Sequence, residues 1–147
     1  MGLSNLTLDQ ISYLVKSVEK LSVIADIVIV DTGAGISDSV MEFVASSPEI
    51  LLVTTPEPSS LTDAYSLLKM LYRNPKYDKN ESVIHVLTNR VASFGEGKMV
   101  FDKLESVVKQ FLDGSVHYIG IIPQDAMLEK AVRIQKPVSI VSPNARS

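Results

Sequence analysis

The stretch from Asp26 to Ser37, reading DIVIVDTGAGIS, constrains this chain more than any other. Ile27, Val28, Ile29 and Val30 follow one another without a polar residue, the pattern of a parallel strand covered on both faces. Asp31 stands at its carboxyl end, where open α/β sheets place their ligands. Gly33 and Gly35 then flank Ala34, and Ser37 is placed to cap a helix. Glycine lets the backbone approach a phosphate with no Cβ in the way. A carboxylate after such a strand also holds Mg²⁺ through water in nucleotide hydrolases. Plain structure explains the same residues, with Asp31 as a helix cap and the glycines as turn formers, and the stretch alone leaves both open.

Composition narrows the class. At 147 residues, 46% hydrophobic and 21% charged, the chain has the size and balance of one domain, expected to span 1–147. A formal charge of −3 gives no chain-wide attraction to nucleic acid or anionic lipid. The absence of cysteine excludes disulfides, thiolate catalysis and cysteine-held zinc or iron–sulfur clusters. His85 and His117 have no spaced partner and read as strand residues. No apolar run approaches the ~20 residues of a membrane span, and the start lacks a signal-peptide core, so a cytoplasmic protein is expected.

Taken in order, Leu8, Ile11, Leu14, Val15, Val18 and Leu21 recur at helical spacing, with Thr7 and Gln10 in the form of a capping box. The strand Asp26–Val30 follows, then a short helix from Ser37 through Val44. Glu49–Thr54 is a second buried strand. Pro56 and Pro58 delay the next helix to Ser59 or Ser60, with Leu61, Ala64, Tyr65, Leu68, Leu71 and Tyr72 on one face. Ser82–Leu87 is a third strand, Ser93–Gly97 a loop, and Val100, Leu104, Val107, Val108 and Phe111 the inward face of a helix closed by Asp113 and Gly114. Val116–Ile122 is a fourth strand, Asp125 caps another helix, and Val138–Val141 is a last edge strand. Alternating strands and helices with right-handed crossovers give a three-layer α/β fold, mainly parallel, with helices on both faces.

Strand ends bring Asp31, Thr54–Thr55, Asn89–Arg90 and Pro123–Asp125 to one rim, and that convergence points to a ligand site. Asn89 offers the donor and acceptor needed to read an adenine edge, and Arg90 can lie over its ring. A turn residue followed by a solvated charge explains that pair equally well.

At these residues the sequence resembles the MinD/ParA family of dimerising P-loop ATPases, in particular its flagellar number and placement branch (FlhG/FleN-like). DIVIVDTGAGIS resembles the family's metal-side strand, ILLVTTPEPSSLTDAYSLLK its next strand, and LTNRV and GIIPQD its base-binding turns. AVRIQKPVSIVSPNARS resembles the ending of the flagellar branch. The match runs from Leu3 to Ser147. It implies that Asp31 holds the Mg²⁺ shell through water, that Gly33 and Gly35 belong to the nucleotide-sensing switch, and that Asn89, Arg90, Pro123 and Asp125 surround adenine. It further implies ATP and Mg²⁺ as cofactors of an intact protein that forms homodimers around ATP. Its expected partners are flagellar regulatory and basal-body proteins, with no nucleic acid.

The departures from the family pattern are as informative. The sequence contains no Gly-Lys-Ser/Thr; Gly95-Glu96-Gly97-Lys98 follows no strand and is continued by Met99. The phosphate-holding backbone donors and lysine are therefore lacking, and the chain is expected not to hydrolyse ATP or to bind it by itself. In this class the phosphate-loop strand lies between the strands ending at Asp31 and Thr54. Its loss is expected to force either direct pairing of those two strands or exchange of elements between copies. The family's C-terminal membrane-targeting helix has no counterpart before Ser147, so peripheral attachment at the inner membrane face is expected only of the intact protein. A chromosome- or plasmid-partitioning ATPase fragment and a stand-alone non-catalytic binding module are the alternatives. An electron-transfer reductase on the same fold needs cysteines that the chain lacks.

Overall fold

β-Branched and aliphatic residues between turn formers build a three-stranded parallel sheet, in the order β1-β2-β3, with helices on both sides. A computed structural model describes residues 8–33 and 35–147. The elements are α1 (Leu8–Glu19), α2 (Asp38–Ala45), β1 (Glu49–Thr54), α3 (Pro58–Arg73), β2 (Val83–Val91), α4 (Phe94–Leu112), β3 (His117–Pro123), α5 (Ala126–Arg133) and α6 (Val138–Val141). This is the α/β class with helices on both faces that the alternation predicts. Thr7, half of the expected capping box, lies outside the described residues.

The chain divides into two compact units, Met1–Ile50 with Ser66–Val83, and Leu51–Tyr65 with Ile84–Ser147. In the first, α1 lies against α2, and Met41, Phe43, Ile50, Leu68 and Leu71 are buried. Ser37 caps α2 through its Oγ, which accepts the Val40 N–H at 3.5 Å. Lys76 pairs with Glu42, and Tyr77 packs edge-on against Tyr72, with ring centroids 5.3 Å apart. In the second unit α4 lies along β3, burying Val100, Phe101, Leu104 and Val108 with Ile84, Val86 and Val91 of β2. Ser93 Oγ accepts the Glu96 N–H at 3.1 Å, and Glu96 returns a carboxylate oxygen to the Ala92 N–H at 2.6 Å. These reciprocal bonds satisfy amides at the start of α4.

Several expectations are corrected. Asp26–Val30 belongs to no strand; it runs as irregular chain with Ile27 81% and Ile29 88% exposed. Apolar character alone does not make a strand, because each buried N–H and C=O needs a neighbouring strand to pair with. The expected pairing of this stretch with β1 is not formed. β1 is buried on one face only, with Leu51 and Val53 exposed. Pro58 opens α3 instead of delaying it, since a proline in the first turn has no amide to lose. β2 runs on through Thr88, Asn89 and Arg90 to Val91. Phe94–Gly97 is the first turn of α4, not a loop, and Phe111 is exposed. Val138–Val141 is one helical turn, not an edge strand.

Because Ile29 faces water, Ile29→Ser should leave the urea-unfolding free energy within about 0.5 kcal/mol of the parent. Leu104→Ala, at a 1% exposed position, should cost about 2–5 kcal/mol. A comparable loss for Ile29→Ser would show that the stretch is buried as a strand after all.

Candidate functional site at the carboxyl edge of the sheet

Strand pairing, not chain proximity, assembles the site. β2 and β3 run parallel, with His85 opposite His117, Val86 opposite Tyr118, Leu87 opposite Gly120, Thr88 opposite Ile121, Asn89 opposite Ile122 and Val91 opposite Pro123. Two irregularities interrupt that ladder. At the first, Gly120 takes φ +141° and β3 gains a residue; at the second, Arg90 takes φ +57° and is skipped between Asn89 and Val91. A left-handed arginine is uncommon, and here it turns the Arg90 side chain out at the carboxyl edge. Asn89, Arg90 and Pro123 therefore stand together on adjacent strand ends, as the sequence predicts.

Local contacts hold the edge. Asn89 Oδ1 accepts the Arg90 N–H at 2.8 Å, and the Gln124 N–H continues the ladder to the Val91 carbonyl at 2.9 Å. At the end of β1, Ser60 Oγ takes the Thr55 N–H at 3.0 Å and lies 3.0 Å from Thr54 Oγ1, fixing the strand end to the start of α3. Glu57 accepts from the Thr55 hydroxyl and lies 4.0 Å from Arg90 Nη1. Both partners are exposed, so this pair contributes little to stability, but it biases where the guanidinium points. The sequence reading missed Glu57; its place in the Thr-Pro-Glu-Pro turn was the available signal.

Asp125 is occupied by backbone donors. Its Oδ1 accepts the Met127 N–H at 2.7 Å as the cap of α5, and Oδ2 accepts the Arg146 N–H at 2.7 Å. Those bonds, Arg146 first and then Met127, hold its carboxyl below the ordinary value of 3.8. An open recess of about 480 Å³ lies between Asp125, Met127 and the returning segment Ser142–Arg146. Asp125 thus joins two backbone segments beside the edge, with both oxygens already engaged.

Asp31, Gly33 and Gly35 lie in the other compact unit. Asp31 is exposed, and its Oδ1 accepts the Gly33 N–H at 3.3 Å. Gly33 and Gly35 take φ +68° and +114°, with nothing within 4 Å of where a Cβ would stand, so their glycine character serves the turn itself. Among the described residues no three His, Cys, Asp or Glu side chains gather for a cation. Asn89, Arg90 and Pro123 share this edge, where the Asn89 amide oxygen is engaged by the Arg90 N–H and the Arg90 guanidinium is exposed. Asp31 with its turn would need further ligands to hold phosphate or Mg²⁺.

A parallel α/β sheet with helices on both sides is consistent with a P-loop NTPase-like fold. The comparisons with known proteins narrow that class. The chain is 40% identical over 134 residues to the antiactivator FleN of Pseudomonas aeruginosa, covering 91% of this chain and 46% of that protein. It is 34% identical over 120 residues to the flagellum site-determining protein YlxH of Helicobacter pylori, covering 81% and 39%. With the septum site-determining protein MinD of Bacillus subtilis it shares 25% identity over 130 residues, 88% and 46%. No family model matches the chain. The chain belongs to the MinD/ParA family, with FleN/FlhG-like sequence, and spans less than half the length of these relatives.

A depressed carboxyl stabilises the folded state above its ordinary value and loses that effect only as pH falls through the lower, native value. The Arg146 amide should therefore remain protected from solvent exchange down to pH 3.8 and lose protection below it. Asp125→Ala should expose the same amide at neutral pH. Loss of protection in the parent well above pH 3.8 would contradict the assignment of both oxygens.

Proposed function

We propose that this chain is the C-terminal part of a MinD/ParA-type regulatory ATPase that controls flagellar number or placement, and that it supplies the adenine side of the nucleotide site. The match to FleN along 91% of the chain carries this reading. Asn89, Arg90, Pro123 and the turn at Asp125 flank the base, whereas Gly33 and Gly35 belong to a turn that senses the phosphates and Asp31 supports Mg²⁺ through water. In the intact protein ATP draws two copies together, and flagellar regulatory or basal-body proteins dock on the dimer. Residues 1–147 do not hydrolyse ATP by themselves, because a phosphate-binding lysine and its glycine loop supply the charge stabilisation that hydrolysis needs.

A chimera tests this directly. With the chain in place of the matching stretch of FleN, a P. aeruginosa strain lacking FleN should regain its normal flagellar number by electron microscopy. Purified chimera carrying Asn89→Ala should bind adenine nucleotide about tenfold more weakly, the value of one lost polar contact in a desolvated site. Unchanged affinity in that variant removes Asn89 from the base site. Failure of a well-folded parent chimera to restore flagellar number would instead favour a stand-alone binding module.

A further inference from the structure

We infer that Gly97, Thr88 and Tyr118 form a positioning device for the Asn89–Arg90 turn, so that the base-facing edge is set by a backbone contact beneath it. The inference deepens the base-binding reading above and rests on it.

Gly97 lies in the first turn of α4 and is buried against β2 and β3. A Cβ on it would stand 2.4 Å from Ile121 Cγ2, 2.6 Å from Thr88 Oγ1 and 2.9 Å from the Tyr118 hydroxyl. Carbon atoms in contact sit about 3.5–4 Å apart, so no side chain fits unless those three packed side chains, the helix or the strands move. Thr88 and Ile121 are partners in register, and the next pair along is Asn89 with Ile122. The helix backbone therefore rests on the last pair before the edge, just ahead of the irregularity that places Arg90 at φ +57°.

A buried polar contact fixes the same spot. Thr88 is fully buried, at 0% exposure, and its Oγ1 lies 3.4 Å from the Gly120 carbonyl and 3.2 Å from the Tyr118 hydroxyl. A threonine has one proton; given to the Gly120 carbonyl, it leaves Tyr118 as donor to Thr88. The two bonds bridge β2 to the irregular turn of β3. The Tyr118 ring is held in turn by Phe101 and Phe94 of α4, with centroids 4.9 and 6.0 Å away. Helix, strand irregularity and turn are thereby locked as one piece. Thr88, Gly97 and Tyr118 act through Asn89 and Arg90 and are positioning residues.

The test uses the full ¹⁵N-labelled chain with Thr88→Val, which keeps shape while removing both bonds, together with Tyr118→Phe and Gly97→Ala. Amide exchange at Arg90 and Gln124 is compared with that at Val108, deep in α4, and adenine nucleotide is titrated into the FleN chimera carrying the same substitutions. Thr88→Val should speed exchange at Arg90 and Gln124 about tenfold, the scale of one lost hydrogen bond, leave Val108 unchanged, and weaken nucleotide binding by the chimera about as much as Asn89→Ala does. Gly97→Ala should do the same more strongly; if it does not fold, Thr88→Val and Tyr118→Phe decide. Parent-like exchange at Arg90 in both of those variants overturns the inference, as does acceleration equal to that at Val108, the sign of general destabilisation. Absence of nucleotide binding by the parent chimera counts against the base-binding reading, and the exchange comparison still decides the positioning role.

Discussion

A β-strand exists only beside another, because its amides and carbonyls need partners once water is excluded. That requirement separates two β-branched-rich stretches of the chain. Ile84–Val91 pairs with β3 and forms a continuous strand, whereas Ile27–Val30, equally strand-like in composition, lies exposed and irregular. By resemblance to the family, a phosphate-loop strand stands between the Asp31 strand and β1. The apolar run forms no strand in the described structure, and Leu51 and Val53 leave one face of β1 uncovered.

Within the second unit β2 and β3 pair in parallel. There the ladder delivers Asn89 and Pro123 to one edge, and two irregularities shape that edge by adding a residue to β3 and turning Arg90 outward. Burial of Thr88 beneath it and the steric need for Gly97 explain how an exposed turn keeps a defined form. Asp125 performs the matching task at the neighbouring turn, tying α5 to Arg146 through backbone donors. Rigid support under an exposed polar edge is what recognition of a planar base requires.

Much of this was legible in the sequence. Helix faces at Leu68, Leu71, Leu104 and Val108, the caps at Ser37 and Asp125, and the strand at Glu49–Thr54 follow from periodicity and capping chemistry. So do the edge residues Asn89 and Pro123, because strand ends follow from strand positions. What sequence reading missed depends on tertiary contact. Whether Asp26–Val30 forms a strand depends on tertiary pairing, not on its own residues alone. Gly97 looked like a loop glycine beside Gly95, yet its role lies in a close approach of helix to strands. Glu57 had its signal in the Thr-Pro-Glu-Pro turn, whereas the left-handed Arg90 follows from a strand irregularity that no local pattern announces.

Peptide-resolved hydrogen exchange of the purified chain tests the central claim most directly, since pairing leaves a direct mark on the amides. We expect Ile27–Val30 to exchange within the dead time of the experiment while Ile84–Val91 stays protected for orders of magnitude longer. Equal protection of the two segments would mean that Ile27–Val30 has found a strand partner, and the account of a sheet short of one neighbour would be wrong.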